Sequence, residues 1–340
     1  MNYNTNIFCT LFNSKYLDKG ITLYNSLKNV CKDFKLYIFA LDSITYNVLL
    51  DLKLENVVAI SMEEFENTEL LKVKKERSAA EYCWTCTPST ISYVFETYHE
   101  KICTYIDADM YFYSDPEPIF DEMQSNNNSI IIIGHRFPKR IEEKKNKIHG
   151  KYCVEFNTFV NNDIGNKCLE WWKKSCINKC HYSKKVNECV GDQTYLEEFE
   201  ARFSGVQVSS IIGAGVAPWN VRNYSFFEKD GRIVLKEQSN VCQMIFYHFQ
   251  NIRYMPFNLV NINSGTCSRF VKNRIYKSYL MEIEQTRRIL FCKYKIEFTS
   301  KKSLYKNPIL AFVQNYFLPF RIRHFNNIIR IKRSKKYDSL

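Results

Sequence analysis

Nowhere in its 340 residues does the chain hold an apolar run near the ~20 residues that a membrane-spanning helix needs. No transmembrane segment is therefore expected, and the run IIII at 130–133 reads as a buried strand. The opening residues, MNYNTNIFCTLF, have neither a basic leader nor a long apolar stretch, so no signal peptide is expected. The expectation is a cytoplasmic protein, soluble or peripheral on the inner face of the cytoplasmic membrane. Only one CxxC occurs, Cys83 to Cys86, and no second pair stands at finger spacing. Cys168, Cys176, Cys180, His181 and Cys189 cluster only loosely. Thirteen cysteines is an odd count for a disulfide scaffold, and Cys9, Cys103 and Cys153 sit in apolar runs, so they read as reduced, buried thiols. No glycine-rich loop follows the first apolar run. FCTLFNSKYLDKG offers Gly20 alone, too late to cradle a phosphate.

What is present permits a sizeable core: 45% of residues are hydrophobic and 15% aromatic. The net charge of +12 is uneven. Residues 301–340 hold ten Lys/Arg and one acid, Asp338, while the rest of the chain is nearly neutral. The basic character belongs to the tail.

NIFCTLF (6–12), FKLYIFALD (34–42) and VVAISM (57–62) read as strands, with helices at about 17–30 and 43–52 between them. Such an order predicts an α/β fold with a mostly parallel sheet and helices on its faces. A long amphipathic helix is expected over 81–98, with Pro88 in its first turn or at a kink. A strand from Cys103 to Tyr113 follows, ending in a turn at Ser114-Asp115-Pro116. Further strands are expected at 129–137, 155–163 and 243–250, and helices at 166–175 and 191–203. EEKKNK (142–147) reads as a solvated loop or flap, and GAGVAPWN (213–220) as a Gly/Pro loop.

The strand over 103–113 carries Asp107 and Asp109 with Ala108 between them. Residues at i and i+2 point to the same side of a strand, so these charges add. A carboxylate at the buried end of a strand is costly unless paired or bound to a cation. The pair is thus either a like-charge penalty or a divalent-metal site. His248, at the end of a late strand, offers a third ligand. Oxygen ligands with one imidazole suit Mn²⁺ or Mg²⁺ better than zinc.

In this order, with a Phe-Asn-Thr strand, an Asp-Gln pair and a late strand ending in histidine, residues 6–260 resemble the retaining glycosyltransferases of the GT-A fold. Glycosyltransferase family 8, with bacterial lipopolysaccharide hexosyltransferases and glycogenin, is the most similar. The resemblance implies a Rossmann-like nucleotide-diphospho-sugar transferase domain over 1–265. It implies Asp107, Asp109 and His248 as ligands of Mn²⁺ or Mg²⁺, with Asp107 and Ala108 also at the donor. Thr10 and Tyr16 match the first strand and loop that hold the nucleoside, although a simple core or loop tyrosine fits Tyr16 too. Arg77 matches the basic residue that reaches the donor, against the alternative of a solvated arginine. Asn157 matches the asparagine that contacts the donor sugar. Asp192 and Gln193 match the catalytic Asp-Gln pair, although Asp192 at a helix start also serves as a cap. Arg253, one place short of the family's lysine, is implied in its stead at the donor, and no glycine follows His248. Trp219 and Asn220 either line the acceptor side or pack their loop.

The implied activity is transfer of a hexose, UDP-hexose being the commonest donor, to a saccharide or lipid-linked acceptor in bacterial surface polysaccharide synthesis, with retention. The alternatives are a non-catalytic, membrane-peripheral sugar-nucleotide-binding protein and a nucleotidyltransferase; the lack of an early glycine-rich loop counts against the latter. Residues 266–340 are expected to be a helical, basic and aromatic region. Arg321, Arg323, Arg330, Lys332 and Arg333 interleave there with Ile322, Phe325, Ile328, Ile329 and Ile331. An amphipathic helix of this kind suits an anionic membrane surface. A packed C-terminal helix is the other reading. Nucleic acid is not expected as a partner, because the aromatics form an apolar face rather than a stacking platform.

Overall fold

The apolar runs of the first half pack side by side as parallel strands: β1 (Asn6–Phe12), β2 (Phe34–Ala40), β3 (Val57–Ser61) and β4 (Ile102–Ile106). A computed structural model describes residues 5–183, 191–255, 259–262, 267–298 and 328–331. Between the strands run α1 (Leu17–Val30), α2 (Ser43–Leu52), the short α3 (Met62–Phe65) and α4 (Thr68–Lys74), and the long α5 (Ala79–Tyr98). β1, β2 and β4 are buried almost throughout, as strands covered on both faces must be. α1 starts after a 3₁₀ turn over Ser14–Tyr16 and buries Leu17, Ile21, Tyr24 and Leu27 at helical spacing. Gly20 lets α1 come down on the sheet: a Cβ there would lie 2.3 Å from the Phe12 ring. Ser78 and Glu81 form a capping box that starts α5, and Pro88 lies inside this helix rather than in its first turn.

The strand expected over 103–113 is two strands. β4 ends at Ile106, a turn takes Asp107–Asp109, and β5 (Met110–Phe112) leaves the main sheet. The turn closes with Met110 N–H on Asp107 O at 3.2 Å. Asp107 and Asp109 therefore flank a turn rather than share one face of a strand. Next come α6 (Glu117–Ser125), β6 (Ile130–Gly134), α7 (Glu142–His149), β7 (Tyr152–Val160) and α8 (Asp163–Asn178). The charge run at 142–147 is thus helical, not a loop; it buries none of its residues, and Lys147 pairs with Glu143 one turn earlier. A 3₁₀ helix over Asp192–Glu198 leads into α9 (Phe199–Arg202) where one α-helix was expected. With β8 (Val206–Val208), the main sheet has the order β3-β2-β1-β4-β7-β6-β8. β7 alone runs antiparallel to its neighbours, so the molecule is mixed α/β with a mostly parallel central sheet.

An antiparallel meander of β9 (Ser225–Lys229), β10 (Arg232–Glu237) and β11 (Asn240–Gln243) precedes β12 (Phe246–His248), which pairs with β5. β13 (Arg253–Met255) and β14 (Leu259–Asn261) continue the chain, and α10 (Lys277–Tyr294) packs on α1. A buried Arg287–Asp18 pair at 2.6 Å and a Thr22–Thr286 contact at 3.1 Å fasten the two helices. A second core forms here, with the Phe249 and Tyr279 rings stacked 3.7 Å apart. Ile328–Arg330 is a strand, β15, against β14, and not part of an amphipathic helix. Ile329 and Ile331 are buried while Arg330 is exposed, a period of two that suits β-branched residues on a sheet. The remaining tail residues, including Arg321, Ile322, Arg323, Phe325, Lys332 and Arg333, lie outside the described residues. Among the described residues no helix is long and apolar enough to cross a membrane.

Candidate metal centre

The strand order places a switch point in the main sheet. From β1 the chain builds outward through β2 and β3, then returns to place β4 on the other side of β1. In such sheets ligands bind beyond the carboxyl ends of the strands flanking the switch point, here β1 and β4. Tyr16 and Lys19 follow β1 there, and Asp107 to Asp109 follow β4.

Two backbone ladders fix the acids and the histidine. Asp107 N–H donates to Glu155 O at 3.0 Å, continuing the β4–β7 pairing. β5 and β12 set His248 opposite Met110, and Phe249 N–H donates to Asp109 O at 2.8 Å. Residues 139 apart in sequence thereby meet: His248 Nε2 lies 3.0 Å from Asp109 Oδ1. The same nitrogen lies 3.5 Å from Asp107 Oδ2. Neighbouring ligands of an octahedral cation at about 2.1 Å stand about 3 Å apart. The three donor atoms thus fit a hard divalent cation, and they form one of the molecule's candidate ligand sets.

Charge is concentrated here. Burial pushes the Asp107 carboxyl up to about 6, opposed by His248 and reinforced by Asp109. Asp109 is buried as well, but His248 and Lys19 outweigh that burial and hold its carboxyl down at about 2. Burial acts to lower the His248 imidazole, yet Asp109 and the adjoining hydrogen bonds carry it well above the usual histidine range. Lys19 Nζ sits 3.9 Å from Asp109 Oδ2 and 3.7 Å from the centre of the Tyr16 ring. Burial of its hydroxyl, then Asp109 and Asp107, push the Tyr16 phenol up, although the side chain is otherwise exposed.

The other sequence candidates are spread around this point. Ala108 is buried in the turn. Asp192 is buried, and burial lifts its carboxyl to about 7, with Asp107 contributing and Thr87 opposing. Gln193 Nε2 donates to His149 O at 2.6 Å. Asn157, opposite Tyr105 on β7, donates to Val154 O at 2.9 Å and leaves its Oδ1 without a partner among the described residues. Thr10 Oγ1 on β1 is likewise buried and unpaired. Arg77 is turned to the protein itself: it donates to Thr85 Oγ1, to Cys176 O at 2.6 Å and to Ile177 O, holding the end of α8. Arg253 is exposed on β13.

Several residues of the site escaped the sequence reading. Glu155 lies against His248, Tyr105 donates to Asp107 Oδ1 at 3.0 Å, and Lys19 faces Asp109. Trp219, which the sequence offered for the acceptor side or for packing its loop, meets the His248 ring edge-on, with centroids 5.4 Å apart, and donates to His135 O at 2.9 Å. Glu155 carries the signal that exposed Asp107, a carboxylate inside an apolar strand. Lys19 carries none beyond its charge.

No family model matches the chain. Bacillus subtilis (strain 168) has two relatives. YfnF is 34% identical over 260 residues, covering 75% of this chain and 84% of YfnF. YfnD is 32% identical over 257 residues, covering 74% of this chain and 80% of YfnD. The chain belongs to the YfnF/YfnD family. Both relatives are named as uncharacterized proteins, so the family carries no activity with it. Among solved structures, the galactosyltransferase LgtC with donor and acceptor sugar analogues superposes with a TM-score of 0.48 at 12% identity, over 82% of this chain and 95% of that one. Mouse xyloside xylosyltransferase 1 gives 0.46 at 9% identity, over 72% and 98%.

Proposed function

We propose that the chain is a metal-dependent glycosyltransferase of the GT-A type. It moves a hexose from a nucleotide-sugar, UDP-hexose foremost, to a saccharide or lipid-linked acceptor of a bacterial surface polysaccharide, with retention at the anomeric carbon. The observation that carries this reading is the meeting of Asp107, Asp109 and His248 at the switch point, within 3.5 Å of the imidazole nitrogen. Bound there, Mn²⁺ or Mg²⁺ supplies positive charge that offsets the charge growing on a departing diphosphate.

Asp107 and Asp109 hold the cation together with His248 Nε2. Tyr16 presents its ring for the nucleobase. Lys19 brings a second cation to the phosphate side. Asp192, buried near Asp107, grips sugar hydroxyls in its ionised form and donates to them in its protonated form. Gln193 lies at the reactive face of the sugar. Amide oxygen is a poor nucleophile, which favours attack from the face the leaving diphosphate vacates, its oxygen taking the acceptor proton. The basic tail serves as attachment to an anionic membrane where lipid-linked acceptors lie.

The test is hydrolysis of UDP-hexoses with and without Mn²⁺, comparing wild type with Asp109→Ala, preceded by a thermal-shift screen of donors. Activity that survives this substitution, or that ignores chelation, removes the metal-dependent reading.

A further inference from the structure

Glu155 lies in β7 where the strand's register against β6 shifts between Ile131 and Ile133. Glu155 is fully buried, and an unpaired carboxylate in such a strand is costly. Its Oε2 lies 2.6 Å from His248 Nδ1. Cys153, Glu155 and His248 also form a possible ligand set. Two ligands each about 2.1 Å from one cation stand about 3 Å or more apart, however, so the 2.6 Å contact is an N–H···O hydrogen bond.

The second oxygen of Glu155 has the Arg136 guanidinium in its neighbourhood but makes no ion pair with it. Its Oε1 has no partner among the described residues, and neither have Nε and Nη2 of Arg136. Gly215 stands between them: a Cβ there would lie 2.9 Å from Glu155 Oε1 and 3.0 Å from Arg136 Nη2. Its φ of +74° also favours glycine. Arg136 is held in place by donating to Ile211 O at 2.9 Å and by accepting, at its carbonyl, from Asn223 Nδ2 at 2.8 Å. The guanidinium lies across Gly215 from Oε1 without bonding to it, so its charge acts on the carboxylate through space.

We propose that Glu155, backed by Arg136 across Gly215, is a positioning residue for the metal-ligating face of His248. By accepting a hydrogen bond from Nδ1–H it fixes the tautomer that leaves the Nε2 lone pair free, and it aims that lone pair at the cation position shared with Asp107 and Asp109. This rests on the metal reading of the site.

The experiment titrates the full chain with Mn²⁺, following free Mn²⁺ by electron paramagnetic resonance and the ¹⁴N coupling of a bound imidazole by its pulsed form. Wild type is expected to bind Mn²⁺ with that coupling. Folded Glu155→Ala is expected to bind roughly 10- to 100-fold more weakly, with the coupling reduced. Glu155→Gln is expected to fall between them, because its amide presents either an acceptor or a donor to Nδ1. Where the Glu155 variants fail to fold, Arg136→Met carries the same expectation at smaller size. A folded Glu155→Gln or Arg136→Met that matches wild type in affinity and coupling overturns the positioning role and leaves the metal site standing. A wild type that binds no Mn²⁺ overturns both.

Discussion

Mn²⁺ should stabilise the protein more at pH 7 than at pH 5, and Asp109→Asn should remove that gain. Three carboxylates, from Asp107, Asp109 and Glu155, lie within 3.5 Å of the nitrogens of one buried imidazole. A cation entering this cage must displace the protons held by Asp107 and His248. A carboxyl of pKa about 6, as at Asp107, is mostly protonated at pH 5 and mostly ionised at pH 7. Asp107 alone therefore makes binding about tenfold tighter over that interval. His248, held above its ordinary range, steepens the change in the same direction. At a hundredfold excess over Kd the gain is about 2.7 kcal/mol, or roughly 4 °C in Tm for a chain of this size.

Asp109→Asn has a second, metal-free consequence. The folded carboxyl is depressed from 3.8 to about 2, so its stabilisation is present above the unfolded value and is lost as pH falls through the folded one. At pH 7 the asparagine forfeits up to about 2 kcal/mol, because Lys19 and His248 lose their anionic neighbour. The variant should start from a lower Tm and gain nothing from Mn²⁺. Thermal melts at pH 5, 6, 7 and 8, with and without Mn²⁺, read both effects. A Mn²⁺-dependent rise kept by Asp109→Asn, or a wild-type gain equal at pH 5 and pH 7, would refute a metal held by these acids.

Asp192→Asn should abolish sugar transfer without lowering stability at pH 8. The folded Asp192 keeps its proton up to about 7 while the unfolded one releases it near 3.8, so wild-type stability falls as pH rises between those values. Asparagine removes up to about 4 kcal/mol of that penalty, and a pH series of denaturant melts should show a flatter profile. Gly20→Ala should cost about 1–3 kcal/mol, because its Cβ would press on the Phe12 ring at the α1–β1 contact; chemical denaturation measures it. Arg77→Leu should cost about 1–3 kcal/mol by leaving the carbonyls of Cys176 and Ile177 without their donor. The KM for UDP-hexose should hold steady, and a large rise would return Arg77 to the donor site.

From β1 to β3 the fold was legible because each apolar run there is a whole strand and each amphipathic segment a whole helix. The region over 103–113 was not, since one continuous apolar run serves two sheets. Composition cannot tell a strand that continues from one that turns after Ile106 and pairs elsewhere. The charge run at 142–147 misled for a related reason: a helix that buries nothing leaves no hydrophobic period to read. In the tail, Ile328 to Ile331 fits either a helix face or a short strand until β14 is placed beside it. At the site, Asp107, Asp109 and His248 stood out as polar residues in apolar settings. Arg77 stood out only through the family resemblance, and its guanidinium is occupied by α8.

The break after Ile106 also explains why the site lies where it does. A parallel sheet alone brings strand ends together but has no means of fetching His248 from 139 residues away. By leaving the main sheet, β5 becomes available to β12, and their antiparallel register carries the imidazole to the switch point. The cage is built on a junction of two sheets, with β4 and β7 fixing one wall and β5 and β12 the other. Shifting the β5–β12 register by one residue would turn His248 to the opposite face and bring Tyr247 or Phe249 toward the acids. Tyr247 and Phe249 are buried in the second core, beside Tyr276 and Tyr279, and that packing opposes such a slip. The second core, which no motif singles out, therefore sets the geometry of the candidate metal centre.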